Sequence, residues 1–368
     1  MTMLPMPNGT PLQELNTPCL LLDRDLLQQN IATMASLGTQ SGIAIRPHTK
    51  THKCPQIAKL QLTAGATGIC TATLGEAEAM SEHGITDILI TRMVVGQAKT
   101  QRLLNLATRG KIAVVCDSFG NAQALGQAAQ ERQVPLTVFI EINVGTGRCG
   151  VLPQSDDFLN LARFVQEHRW LVFGGLQGYA GHTSLMADAV LRKEASHIAD
   201  NIGLAAKTML EEAGIPVPVL TGGSTGTHAF TARGGYTELQ AGSYATMDAE
   251  YSAIAGDVFR PALTLLATVI SKTSPQWVII DAGCKALAVD RGPSVLKDFP
   301  QLEYRSAGDE YGKITAKDGG EVRLQVGDLV ELYPRHGCTT INLHDGLQII
   351  KDGVLQDTWA VVGRGRVD

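Results

Sequence analysis

Between about residue 40 and residue 245 the chain alternates short β-branched runs with longer amphipathic stretches, and this alternation constrains the fold more than any other feature. It is the pattern of strand and helix units feeding a parallel sheet. The runs are GIAIRP from Gly42, GICTAT from Gly68, DILITR from Asp87, KIAVVCD from Lys111, LTVFIEIN from Leu136, LVFGGLQGY from Leu171, VPVLTGG from Val217 and TELQAGSY from Thr237. Eight parallel strands with helices between them predict a (β/α)8 barrel. After the sixth run the spacing lengthens, and residues 187–213 read as one long helix. Beyond residue 260 the runs LTLLATVIS, QWVIIDAG, GDLVELYP, GLQIIKDG and LQDTWAVV follow each other across short turns, which predicts a second, all-β domain. The expected division is a barrel over 20–255 and a β domain over 260–368 with 1–19, CLLLD from Cys19 being a candidate to pair with the latter.

Composition narrows the class of partner. A net charge of −5 without a Lys/Arg stripe gives no footprint for nucleic acid. No apolar run approaches the ~20 residues of a membrane span, and the opening MTMLPMPNGTPLQELN has neither the basic start nor the apolar run of a signal peptide. Seven scattered cysteines, an odd number, point to reduced thiols in the cytoplasm.

In such a barrel the loops after the strand C-termini form the active face, with a phosphate site commonly at strands seven and eight. There the sequence has Gly222-Gly223-Ser224-Thr225-Gly226 and Gly242-Ser243-Tyr244, small and hydroxylated residues that suit either tight turns or a phosphate cradle. Strand one ends in RPHTKTHK, Arg46 to Lys53. A lysine attacks a carbonyl cofactor only as the neutral amine, which a cationic or desolvated setting favours. Arg46, His48, Lys50, His52 and Lys53 would give that setting, and would equally suit phosphate or solvent. Gly145-Thr146-Gly147-Arg148-Cys149-Gly150 is a literal G-x-G-x-x-G, but it follows strand five instead of the first strand of a dinucleotide fold, so the dinucleotide reading is rejected. His336 and Cys338 stand two residues apart, on one face if the segment is extended. Nitrogen and sulfur together suit Zn²⁺, and two ligands leave positions for water and substrate.

Taken in order, TPCLLLD from Thr17, RPHTKTHK, NVGTGRCGV, GLQGY, GGSTGT, YTELQAGSYATMD, DAGCK and HGCTTINLHDG followed by TWAVVGRGR span nearly the whole chain. The sequence they form resembles the D-threonine aldolase and eukaryotic-type D-serine dehydratase family, pyridoxal-phosphate enzymes of the alanine racemase fold. The resemblance implies Lys50 as the Schiff-base lysine, Arg148 at the cofactor's phenolic oxygen and Tyr179 near its pyridine ring. It implies phosphate binding by Gly223, Ser224 and Thr225 with Gly242, Ser243 and Tyr244. His336 and Cys338 match the family's divalent-metal pair, which would place Zn²⁺ or Mn²⁺ beside the substrate's β-hydroxyl.

The implied activity is a lyase on a D-3-hydroxy amino acid, Lys50 and His336 being catalytic, in a cytoplasmic homodimer. His-x-Cys and CTATLGEAE from Cys70 are similar to the dehydratases, whereas YTELQAGSYATMD and the closing segment are similar to the aldolases. The expectation is aldol cleavage to glycine and an aldehyde, with D-serine dehydration to pyruvate and ammonia as the alternative. The family's DEHG is here Asp309-Glu310-Tyr311-Gly312, so the role of that histidine does not carry over. An alanine-type racemase has no use for a metal at a β-oxygen. A non-catalytic pyridoxal-phosphate carrier of the single-barrel type would lack the β domain.

Overall fold

The computed structural model describes residues 6–368. Residues 1–5, the start of the stretch expected not to be a signal peptide, lie outside them. The described chain forms two compact units. One holds Met34–Lys50, Ile57–Gly242 and Arg366–Asp368, the other the chain up to Thr33 with Thr51–Gln56 and Ser243–Gly365.

In the first unit eight strands run parallel, and each of the eight expected runs contributes one: Ala44–Ile45, Ile69–Thr71, Asp87–Ile90, Lys111–Cys116, Leu136–Glu141, Leu171–Gly178, Leu220–Gly222 and Glu238–Leu239. They are called barrel strands one to eight. Strands two to eight each pair with the next in sequence order, and strand one pairs with strand eight through Ala44↔Glu238 and Ile45↔Leu239. Beyond the regular ladder the ring closes where Cys70 N donates to Pro47 O at 2.8 Å and Thr49 N to Cys70 O at 2.8 Å. A (β/α)8 barrel results. Its strands are buried nearly throughout, which is why they read as β-branched runs instead of polar alternation. The helix after strand six spans Ala189–Glu212, capped by Asp188, whose carboxylate accepts from Val190 N and Leu191 N. No helix among the described residues is long and apolar enough to cross a membrane.

Arg46 closes the barrel's polar interior, paired with Asp87 at 2.6 Å and Glu238 at 2.9 Å. This corrects one expectation. With two carboxylates against it, Arg46 does not supply a net positive neighbour to Lys50.

The second unit is built on a nine-stranded sheet. Its central strand, Cys19–Asp23, pairs antiparallel with Leu263–Ser274 (Leu20↔Leu265, Leu22↔Leu263) and parallel with Gly346–Lys351 (Leu20↔Leu347, Leu22↔Ile349). Leu20 and Leu22 are fully buried and Leu21 nearly so, because a central strand covered on both faces has no polar alternation to show. Three strands had no counterpart among the expected runs: Val295–Leu296, Leu302–Ser306 and Gly312–Ala316. They are short, carry exposed charges such as Arg305, and are interrupted by Gly308-Asp309-Glu310, so locally they read as turns. Pairing across the sheet, Val295↔Tyr333, Tyr304↔Ile314 and Val278↔Ile314, decides them.

Candidate active site

Strand one delivers Lys50 through a short pinned segment. His48 N donates to Ala241 O at 3.1 Å, and Thr49 N and Oγ1 both donate to Cys70 O, at 2.8 and 2.9 Å. Lys50 N then reaches His48 Nδ1 at 3.4 Å, while His48 Nε2 lies 3.0 Å from Thr91 Oγ1. The backbone is thus fixed on two sides, and the half-buried Lys50 side chain enters a cavity of about 250 Å³.

Lys50 Nζ sits 5.5 Å from the centroid of the Tyr179 ring, and the Arg148 guanidinium carbon sits 5.6 Å from the same centroid. Both cations and the ring line the cavity. The loop that carries Arg148 turns on glycines. Gly145, Gly147 and Gly150 have φ of +108°, +64° and +103°, and a Cβ on Gly150 would stand 2.5 Å from Asn143 N. Asn143 Oδ1 accepts from Gly145 N and Gly147 N, and Thr146 Oγ1 donates to Tyr179 O at 3.0 Å, linking the loop to the residue it faces. These glycines make a side-chain-bound turn.

Part of the lining was not legible in the sequence. Gln240 Nε2 donates to Gln177 Oε1 at 2.8 Å, and Gln177 Nε2 donates to Glu141 Oε2; all three side chains are buried and line the cavity. Burial pushes the Glu141 carboxyl up to about 7, against the opposing effects of the Gln177 hydrogen bond and the Arg148 charge. The available signal was a polar residue near the end of each apolar strand run, LTVFIE, GGLQG and TELQ, where an inward side chain reaches the active face.

The expected phosphate loops divide between the units. Gly223 has φ +72° in the barrel, and a Cβ there would meet Leu239 at 2.6 Å. Ser224 N and Oγ each lie 3.1 Å from Thr227 Oγ1, and Thr225 O accepts from His228 Nδ1. The buried Thr221 Oγ1, just before this turn, has no hydrogen-bond partner among the described residues, as fits a strand end awaiting a polar ligand. Gly242 is buried in the same unit, whereas Ser243 and Tyr244 belong to the β unit, where the Tyr244 ring lies 5.6 Å from that of Phe259. Neither loop is among the residues lining the Lys50 cavity.

In the β unit His336 and Cys338 come together, but not by strand alternation. His336 is extended and caps the short helix Gly337–Ile341, so Cys338 already lies in the first helical turn. The Cys338 side chain lies near enough to influence the His336 ring electrostatically. His336 Nδ1 lies 2.6 Å from Asp290 Oδ2, Gly337 N donates to Asp248 Oδ2 at 2.9 Å, and Cys338 Sγ lies 3.4 Å from Thr51 Oγ1. Burial opposes a charged His336 ring, yet the Cys338 thiol and the Asp290 carboxylate outweigh it and push the imidazole up to about 9. An imidazole positioned by a carboxylate beside a thiol could hold a metal ion, the carboxylate orienting the ring. Among the described residues no group of three or more His, Cys, Asp and Glu side chains is gathered for an ion. Asp309 and Glu310 instead pair with Lys285 on the surface.

Comparison with known proteins identifies the family of the fold. Residues 22–250 match the alanine racemase N-terminal domain, and residues 262–350 match the putative serine dehydratase domain. The D-threonine aldolase of Arthrobacter sp is 40% identical over 98% of this chain and 96% of its own. The chain belongs to the D-threonine aldolase and D-serine dehydratase family, pyridoxal-phosphate-dependent lyases of the alanine racemase fold. A 3-hydroxy-D-aspartate aldolase of Paracoccus denitrificans is 35% identical over 99% of this chain and 96% of its own. Among solved structures, D-threonine aldolase from Filomicrobium marinum superposes with a TM-score of 0.95 at 35% identity, covering 99% of this chain and 100% of that one. D-threo-3-hydroxyaspartate dehydratase from Delftia sp. HT23 gives 0.87 at 30% identity, covering 95% and 98%.

Proposed function

We propose that this chain is a retro-aldol lyase of D-3-hydroxy amino acids, with Lys50 carrying pyridoxal phosphate. The observation that carries the reading is the convergence of Lys50 and Arg148 on one face-forming residue, Tyr179, inside a cavity of a family barrel. The cavity fits such a group: an amine for the carbonyl carbon, a guanidinium for the phenolic oxygen and an aromatic ring to pack on the pyridine. When bound, pyridoxal phosphate supplies an electron sink for the charge left at Cα. Lys50 holds the cofactor and serves as proton carrier at Cα. Arg148 places a fixed positive charge at the phenolic oxygen, and Glu141, Gln177 and Gln240 form a buried polar wall that orders the cavity. In the reaction the Cα–Cβ bond breaks, the β-hydroxyl loses its proton to become a carbonyl, and Cα gains a proton, giving glycine and an aldehyde.

His336 and Cys338 are the residues proposed to hold a divalent ion, which would lower the pKa of the β-hydroxyl. The thiol favours Zn²⁺ over Mn²⁺. Gly223, Ser224, Thr225, Gly242, Ser243 and Tyr244 are proposed for the phosphate, with Thr221 Oγ1 as a further donor. The seven cysteines, all unbridged, support a cytoplasmic setting, and a homodimer is proposed as the working assembly. Dehydration is the second reading, favoured by Cys338 and by the D-threo-3-hydroxyaspartate dehydratase of Delftia sp., 32% identical over 94% of this chain and 97% of its own. Product analysis on D-threonine and D-serine, with Zn²⁺ and Mn²⁺ each supplied, separates the two. Glycine with acetaldehyde is the expected outcome, and pyruvate with ammonia from D-serine as the faster reaction would overturn it.

A further inference from the structure

The barrel helix Ala189–Glu212 carries an apolar seam that the barrel does not use. Its buried stripe steps through Ser196, Ala199, Gly203, Ala206 and Leu210. One position back, Leu191, Ala195, Ile198, Ile202, Ala205 and Met209 follow at alternating intervals of four and three residues, the heptad rhythm of a helix that meets another helix. Leu191, Ile198 and Met209 are 52%, 64% and 43% exposed. With Val190 they give this helix four large exposed hydrophobic side chains, against one, Phe119, on the other barrel helices.

The neighbours of the helix leave that side open. The helices after barrel strands two, three, four and five pack side by side in series. The helix Ala189–Glu212 packs on His228–Thr231, its His197 ring lying 6.3 Å from that of Phe230, and Leu204 borders Gly235. Among the described residues it has no comparable packing with the preceding helix, Asp156–Glu167. At about 3.6 residues per turn, His197 and Leu204 fall on one side of the buried stripe and the seam falls on the other, toward that gap. Strand six runs between the two helices in sequence, and its Val172 is exposed.

We propose that this seam docks a second copy of the chain, the two helices lying antiparallel across a two-fold axis. The spacing is self-complementary: pairing centred at the level of Asp200 sets Ile198 against Ile202, Ala195 against Ala205 and Leu191 against Met209. Large meets large and small meets small, whereas a slip of one heptad either way sets Ile against Ala. The flank beside the seam is Glu194, Asn201 and Thr208, so Asn201 meets its own copy at the axis and no lysine or arginine is buried. Lys207 and Glu211 lie on the far side, paired with each other at 2.6 Å. Asp188 and Glu212 bound the seam, so like charges approach at its exposed ends, where solvent screens them. Exposed apolar patches of about 300–600 Å² are the largest on a typical monomer and are often functional. Two of them together reach the low end of specific interfaces, about 1,200 Å² in total, so the contact is a reversible one. It gives the proposed homodimer a surface and does not depend on the lyase reading.

The test is sedimentation of the full-chain holoenzyme over a concentration series. Wild type should show a self-association whose Kd Ile198→Glu raises at least about 10-fold, because a charge then sits in the central layer of the pair. Ile198 is exposed and Glu is the better helix former, so the variant should keep its fold and its cofactor absorbance. Asn201→Cys should form a disulfide-linked dimer under mild oxidation, beyond any that wild type forms through its exposed Cys149, since this axis brings position 201 beside its copy. A wild-type chain that stays monomeric overturns the proposal together with the homodimer. Assembly unmoved by Ile198→Glu, or cross-linking of Asn201→Cys no greater than that of wild type, overturns the seam alone and leaves the interface to another face. Neither readout is turnover, so either failure leaves the lyase reading standing.

Discussion

Asp290 grips both ends of the turn from His336 to Thr339: its Oδ2 lies 2.6 Å from His336 Nδ1 and its Oδ1 accepts from Thr339 Oγ1 at 2.9 Å. With Nδ1 fixed in this way, only Nε2 of His336 is left to join Cys338 at an ion. Asp248 holds the same turn from its other side through Gly337 N, and a Cβ on Gly337 would come within 3.4 Å of that carboxylate. Two carboxylates from elsewhere in the sequence thus hold the turn that carries the proposed ligand pair.

Asp290→Ala should therefore weaken divalent-metal binding about 10- to 100-fold, the usual cost of removing an outer partner of a ligating histidine. Competition with a chromophoric chelator measures this without reference to turnover. Asp290→Asn, which keeps an oxygen for Nδ1–H, should lose less. Unchanged affinity in Asp290→Ala would show that the ion does not depend on His336.

Glu141 makes stability depend on pH with a definite sign. Its folded value of about 7 lies above the ordinary carboxylate range, so between about pH 4.5 and 7 the folded chain holds a proton that the unfolded chain has lost. Stability from this group falls as pH rises through that window and stays lower above it, by about 1–3 kcal/mol. Glu141→Gln keeps the acceptor and donor geometry without the charge. The fall in Tm of cofactor-free protein between pH 5 and pH 8 should be smaller in Glu141→Gln than in wild type; equal falls would mean that Glu141 ionises without penalty.

The barrel was legible because its strands are buried on both sides and separated by long amphipathic stretches, a signal that survives without tertiary context. Lys50 and Arg148 could be singled out because each sits in a short motif after a strand end, and Tyr179 through the family resemblance; the fold sets all three on one cavity. Gln177 and Gln240 could not, since a single glutamine inside an apolar run acquires meaning only when the barrel closes and sets it beside Glu141. Asp290 was equally hidden: it lies 46 residues from His336 in sequence, and no local pattern links them. Arg46 was misread for the related reason that its partners, Asp87 and Glu238, come from strands three and eight.

Borohydride reduction of the holoenzyme followed by peptide mapping should place the cofactor on Lys50 and not on Lys53. Lys53 is buried with φ +51°, its carbonyl accepts from Gly363 N, and it is not among the residues lining the cavity. Lys50→Ala should lose the visible absorbance of the bound cofactor, and Lys53→Ala should keep it. A label on Lys53 would sink the assignment.

The proposed choice of ion rests on Cys338. A thiolate is a soft donor that favours Zn²⁺, whereas a carboxylate at the same place suits the harder Mn²⁺. Cys338 Sγ lies 3.4 Å from Thr51 Oγ1, so a side chain of similar length can reach the same point. Wild-type protein stripped with a chelator should regain turnover best with Zn²⁺, and Cys338→Asp should shift the preference toward Mn²⁺. The cofactor label on Lys50 should persist in Cys338→Asp, because Lys50 belongs to the barrel unit and the substituted ligand to the β unit. His336→Ala should abolish metal-dependent turnover, since one remaining protein ligand does not hold an ion against a chelator. Elemental analysis fixes the interpretation: full turnover by protein verified to be metal-free would reduce His336 and Cys338 to a structural pair at a helix start.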